Sequence, residues 1–184
     1  MPKRDACLLR AMTESDLELV LVWRNQERIR LAMYTDHVIS RDEHYAWFKR
    51  VTDEQKTQHF IFEYDSVPVG VINVVNVDMA ANRCAWGFYV GAENLPDGTG
   101  SAMGFVALEH LFEVLGFRKV IGEVLADNDA SLSYHRRLGF VEEGRFVEHV
   151  LKGGRYVDVV TFAIFDRDWS RIKDQLAARF FGGE

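Results

Sequence analysis

Between residues 88 and 102 an apolar, β-prone stretch passes through Gly91, Pro96, Gly98 and Gly100 into a segment, 101–116, that is apolar on almost every side. A helix of that kind has no polar face to offer water, so it has to be covered by the rest of the molecule. Three runs rich in β-branched and aromatic residues precede it, at 59–63, 69–77 and 83–90. Turn-forming residues separate them at Asp65-Ser66 and Ala80–Asn82, which predicts an antiparallel meander. A buried helix laid across such a meander gives a mixed α/β sheet. A uniform βαβ alternation would have indicated a doubly wound fold instead.

The remaining elements extend this frame. Residues 7–12 read as a short strand. Thr13 and Asp16 sit where a helix start needs a cap and a first-turn acid, and Leu17, Val20, Leu21 and Arg24 keep helical spacing. A second helix is predicted from Ser40, with Glu43 completing a capping box and Tyr45, Phe48 and Val51 or Thr52 on its inner face. Residues 119–125 read as a strand. A helix over 128–138 ends at Gly139, a common residue just past a helix. Residues 140–150 and 155–165 form a hairpin turning at Gly153-Gly154, and a last amphipathic helix carries Trp169, Ile172, Leu176 and Phe180. The order is β-α-α-β-β-β-α-β-α-β-β with a C-terminal helix.

The chain has 184 residues, 48% of them hydrophobic, including 13 Phe and 4 Trp. That suffices for one self-supporting core, so residues 1–184 are expected to form a single domain. The net charge of −6 argues against a nucleic-acid partner, which would call for a basic surface. No stretch approaches the roughly 18 apolar residues of a membrane span, and the N-terminal residues lack a signal peptide's apolar region. The expected location is the cytoplasm. For Cys7 and Cys84 a single disulfide is chemically open, but a distant pair is more often two reduced core thiols. No Cys/His spacing suggests zinc, and no metal is expected.

The chemistry concentrates in two places. At a helix N-terminus free amides and the helix dipole favour phosphate, and Gly98 and Gly100 allow close backbone approach. The lysine of a Walker loop is missing, and the meander before the loop disfavours a dinucleotide-binding unit. The second place is residues 123–140, where a strand leads to Asn128, Ser131, Tyr134, Arg137 and then Leu138-Gly139-Phe140.

With the loop at 98–102, this segment resembles the acetyl-CoA site of the GNAT N-acetyltransferases, in order and spacing over about 50 residues. The resemblance implies a single α+β domain whose central mixed, largely antiparallel, seven-stranded sheet is flanked by helices. It implies acetyl-CoA as acetyl donor, held by Tyr89, Val90, Gly98, Thr99, Gly100, Ser101, Ala102, Asn128, Ser131, Tyr134 and Arg137. Its strand is splayed at Tyr89-Val90, where a backbone amide faces the reacting carbonyl, and Tyr134 protonates the departing sulfur. Leu95 departs from the pattern, because the family often opens this loop with Gln or Arg. Glu123, on the strand beside the site, is the first candidate for the base, ahead of His44.

Trp23-Arg24-Asn25, Met33-Tyr34 and 39–48 resemble the sugar-nucleotide N-acetyltransferases of pseudaminic acid synthesis. This implies a small-molecule amine acceptor, a UDP-linked 4-amino-4,6-dideoxy sugar, contacted by Arg24, Asn25, Tyr34, His44 and Trp47. The chain is also similar to ribosomal-protein and polyamine N-acetyltransferases, which share the later motifs. An acyl-CoA sensor without turnover is the alternative outside the enzymes, and a homodimer is compatible with either.

Overall fold

A computed structural model describes residues 1–53 and 57–182. Its seven-stranded sheet has the order β1-β2-β3-β4-β5-β7-β6. The first four strands, β1 (Cys7–Ala11), β2 (Gln58–Tyr64), β3 (Val67–Asp78) and β4 (Arg83–Val90), are antiparallel neighbours. After α4 (Thr99–Glu109), β5 (Lys119–Leu125) runs parallel to β4. A parallel pair needs a crossover of this length, which the buried helix supplies. The β6 (Val141–Lys152) and β7 (Arg155–Phe165) hairpin then pairs through β7 with β5, leaving β6 at the edge. Among the described residues no helix is long and apolar enough to cross a membrane.

Alternation along the strands feeds two main cores, with a small third cluster of Leu125, Val157 and Val159. Phe60, Phe62, Cys84 and Trp86 face α4 and α6 (Asp166–Phe181), where Trp169 is fully enclosed. Ile61, Val71 and Tyr89 face the other side, beneath α1 (Leu17–Asn25) and α3 (Arg41–Asp53).

Several local expectations shift. Thr13 and Asp16 form a capping box, but it closes a 3₁₀ turn, Glu14–Asp16, and the helix proper starts at Leu17. A short helix, α2 (Glu27–Arg30), follows α1 and was not anticipated, because four residues carry too little periodicity to register. The Ser40 hydroxyl accepts from the Glu43 amide at 3.2 Å, but the Glu43 carboxylate meets His37 at 3.0 Å, so only half of that capping box forms. The inner face of α3 also includes buried His44. The helix predicted at 101–116 starts two residues earlier and passes into a π turn at His110–Val114.

The residue that locks β4 to α5 (Asp129–Arg137) is His135, only 2% exposed. The Trp86 indole N–H donates to its Nε2 at 3.2 Å, and its Nδ1–H donates to the Ser131 carbonyl at 2.9 Å. Indole can only donate, so this arrangement holds the neutral tautomer with the proton on Nδ1. Gly122 leaves the room, since a Cβ there would lie 2.5 Å from Nε2. Burial lowers the His135 pKa from 6.5 to about 4, against the opposing Ser131 bond. The folded value lies below the unfolded one. The stability held by neutral His135 is therefore complete above the unfolded value and is lost as pH falls from there toward the folded one. Between pH 7 and pH 5 this one group should cost the fold about 2 kcal/mol. Urea unfolding at both pH values should show that loss in the wild type, and a loss smaller by about that amount in His135→Gln. Equal pH dependence in the two proteins would refute the buried, neutral state of His135.

Candidate functional site

Beyond four paired residues, Arg83↔Lys119 to Trp86↔Gly122, the β4–β5 ladder stops. Each strand continues on its outer side, β4 with β3 as far as Val90↔Gly70 and β5 with β7 as far as Leu125↔Val159. The gap is therefore a fork between two well-bonded strands. Gly91 and Ala92 both donate to the Val69 carbonyl, a bulge that ends β4. Counting back from Gly91, alternation sends the amides of Tyr89 and Gly87 to β3 and those of Phe88 and Val90 into the fork. The sequence reading left Tyr89 and Val90 open as oxyanion donors, and the register favours Val90.

The fork opens into a cavity of about 850 Å³. The sequence-predicted residues Arg24, Tyr34, Tyr89, Val90, Gly100, Glu123, Asn128, Ser131, Tyr134 and Arg137 all line it, drawn from seven separate elements or loops. On its cofactor side, Gly98 caps α4 with φ +90°, a conformation that favours glycine. The Thr99 amide bonds to Pro96 and the Ala102 amide to Gly98, whereas the first-turn amides of Gly100 and Ser101 meet no backbone carbonyl among the described residues. A Cβ on Gly100 would meet only Val90 Cγ2, at an ordinary 3.8 Å, so the fold itself does not demand glycine there. These features fit a pyrophosphate held by backbone amides at the positive end of a helix.

Some predicted cofactor contacts are structural instead. Thr99 is buried, its hydroxyl donating to Pro96 at 2.7 Å, and Ala102 lies in the core with its amide spent. The Asn128 side chain accepts from the Ser131 amide at 3.1 Å, capping α5 while still lining the cavity. Leu95 packs against the core, which accounts for an apolar residue in place of a polar one.

Tyr134 is enclosed, and its hydroxyl donates to the Gly100 carbonyl at 2.7 Å. Gly104 permits this, because a Cβ there would stand 2.3 Å from the hydroxyl. Burial raises the phenol's pKa above its ordinary value, partly offset by nearby Arg137. On the opposite wall the Tyr34 hydroxyl donates to Glu123 at 2.7 Å, joining two predicted residues 89 positions apart.

A second cavity of about 500 Å³ lies between α1, α3 and the sheet, and shares Arg24, Asn73 and Tyr89 with the first. His44 and Trp47 stack there with centroids 5.3 Å apart. Burial lowers the pKa of His44, keeping it neutral in this setting. Arg24 donates to the Thr35 carbonyl at 2.8 Å, and its other terminal nitrogen is buried with no partner among the described residues. Burial also lowers the Arg24 pKa. Asn25 needs correction: both ends of its amide bond to the Ile39 backbone, at 2.8 and 2.9 Å, and it lines neither cavity. It anchors the loop before α3. Sequence reasoning missed Arg28, which donates to the Val90 and Gly91 carbonyls at 3.0 and 2.9 Å and so fixes the end of β4. The helix breaks at Gln26 between Arg24 and Arg28, so no periodic signal in the sequence pointed to it. Among the described residues no group of three or more His, Cys, Asp or Glu is gathered as a metal would require.

Residues 7–141 match the family model described as the acetyltransferase (GNAT) domain. The spermidine N(1)-acetyltransferase of Vibrio cholerae is 23% identical over 82% of this chain and 88% of its own. Acetyltransferase PseH of Campylobacter jejuni is 26% identical over 70% of this chain and 79% of its own. The crystal structure of the Vibrio cholerae spermidine N-acetyltransferase in complex with CoA and spermine superposes with a TM-score of 0.84 at 21% identity, covering 90% of this chain and 99% of that one.

Gly100 gives a clean test of the cofactor wall. Gly100→Val should leave the fold within about 1 kcal/mol of wild type, the scale of a glycine substitution with room to spare. It should weaken acetyl-CoA binding at least about tenfold, the equivalent of 1.4 kcal/mol. Calorimetric titration showing unchanged affinity in the folded variant would place the pyrophosphate elsewhere.

Proposed function

The chain belongs to the GNAT acetyltransferase family, and on that premise we propose that it moves the acetyl group of acetyl-CoA directly to a primary amine in a ternary complex. The acceptor is a small molecule, neutral or anionic away from its reacting nitrogen, and a nucleotide-linked amino sugar fits best. The fork between β4 and β5, opening beside the free amides of α4, is the observation that carries the transfer reading.

Acetyl-CoA supplies an acetyl group activated as a thioester. The Gly100 and Ser101 amides hold its pyrophosphate, and Arg137 stands on the same wall. The Val90 amide, aimed into the fork, stabilises negative charge gathering on the carbonyl oxygen; a donor of this kind is worth about 10²–10³ in rate. Tyr134 stays protonated at neutral pH and can pass its proton from the Gly100 carbonyl to a departing thiolate. Glu123 stands at the mouth as the acceptor of the amine's proton, oriented by Tyr34. An acetyl-cysteine route lacks support. Cys84 and Cys7 are buried outside both cavities, and burial pushes their thiols up to about 12 and about 11.

Arg24 separates the two acceptor readings. An unpaired buried donor costs on the order of 1–3 kcal/mol, and more when charged, so an oxygen of the acceptor placed there would be strongly favoured. Arg24, Arg28 and Arg50, with Arg137 on the wall proposed for the cofactor, line the two cavities, whereas the acids there are Glu123 and Glu43. A polyamine, with several positive charges, meets a repulsive wall. The polyamine reading rests on the names of the spermidine acetyltransferases, at 21–23% identity.

The decisive assay compares acetyl transfer to spermidine, to an N-terminal peptide and to a UDP-linked 4-amino sugar. The sugar nucleotide should show the highest kcat/KM, and Arg24→Met should lower it about 10-fold or more without changing the KM for acetyl-CoA. Spermidine as the best acceptor, with turnover indifferent to Arg24, would reject the acceptor assignment.

A further inference from the structure

Lys152 ends β6 at the tip of the β6–β7 hairpin, on an element that contributes no residue to either cavity. It is only 8% exposed, and burying an ammonium is costly unless it is paired. Its Nζ donates to the Met33 carbonyl and lies 3.5 Å from the Asp36 carboxylate. The two contacts bracket Tyr34. The segment 31–40 has no regular secondary structure of its own. Other long side chains reach its backbone as well: Arg24 at Thr35, Arg30 at Asp36 and Asn25 at Ile39. Those three come from α1 and α2, which directly precede the segment. Lys152 alone among these ties it to the strands beyond the fork.

The other side of the same tip is also fastened. Lys152 pairs in register with Arg155 across Gly153 and Gly154, which adopt φ +56° and +80° as a two-residue turn requires. Arg155 forms an ion pair with Asp127, next to Asn128 on the cofactor side. One hairpin tip thus touches the acceptor segment through one residue and the cofactor turn through its cross-strand partner. The Arg155 pair is exposed and contributes little energy, whereas the Lys152 side chain is itself buried, with the Met33 carbonyl as its partner and the part-exposed Asp36 carboxylate beside it.

We infer that Lys152 is a positioning residue for acetyl transfer: by pinning Met33 and Asp36 it holds the Tyr34 hydroxyl on Glu123 and so keeps the base aimed into the mouth of the fork. This rests on the reading of Glu123 as the proton acceptor. The role is one of geometry. Lys152 lines neither cavity and touches no reacting group. Without its charge the segment keeps its anchors to α1 and α2, so the fold should survive while Tyr34 and Glu123 part.

Three measurements on Lys152→Met test this. Hydrogen exchange needs no turnover: amides at 31–40 should exchange at least several-fold faster than in the wild type, with α5 protected as before. In steady-state kinetics on an amine that the wild type acetylates, kcat/KM for the amine should fall about tenfold or more, and the KM for acetyl-CoA should stay within about twofold. In a Tyr34→Phe background, Lys152→Met should then have less than a twofold further effect, because the two residues act through one contact. Unchanged exchange would overturn the clamp. Multiplicative kinetic losses in the double variant, or a parallel loss of acetyl-CoA affinity, would overturn the positioning role. If Glu123→Gln keeps full activity while the exchange result holds, the error lies in the choice of base rather than in the clamp.

Discussion

Everything in the site depends on the point at which β4 and β5 stop bonding to each other. Two parallel strands normally continue their ladder as far as both extend, because each unpaired buried amide or carbonyl costs free energy. Here the ladder ends at Trp86↔Gly122, although both strands remain bonded outward. An aromatic wedge lies behind the point of parting. Trp86 stacks on Phe140 at 5.1 Å and donates to His135, while Phe88 packs on Tyr134 at 4.6 Å. These side chains pack β4 against α5 beneath the fork. The unpaired strand edges then become the means of recognition: a ligand in the fork meets fixed amides that need no reorganisation.

The fork also explains why cofactor and acceptor groups come from different parts of the chain. α4 and α5 approach it from one face and bring Gly100, Ser131, Tyr134 and Arg137. α1, α2 and the segment after them approach from the other and bring Arg24, Arg28 and Tyr34. Glu123 sits between the two sets because β5 forms one prong. On the proposed reading, recognition of the donor is mostly by backbone and so depends on local conformation, such as the left-handed Gly98 cap. On the same reading, recognition of the acceptor is by side chains of α1, α2 and the irregular segment after them, which lie outside the sheet. This division fits a family in which one transfer chemistry serves many amines.

The local conformation of the wall proposed for the cofactor was largely legible in the sequence because local signals carry it. The glycines at 98 and 100, the start of the apolar helix and the run from Asn128 to Phe140 each encode a turn, a cap or a buried face. The acceptor half was legible only as residue types. That Tyr34 would meet Glu123, or that Asn25 would spend its amide on Ile39, follows from long-range packing with no periodic trace. Lys152 was invisible for the same reason, since a lysine beside a hairpin turn reads as solvated until the strand is seen to project its side chain across the molecule. α2 escaped notice because four residues make too short a pattern.

The most direct test of this account is a crystal structure with CoA bound. The account predicts the pyrophosphate within hydrogen-bonding distance of the Gly100 and Ser101 amides, with the pantetheine arm running between the separated ends of β4 and β5 and its sulfur beside Tyr134. A pyrophosphate seated away from the start of α4, or a fork closed into a continuous β4–β5 ladder with CoA outside it, would contradict it.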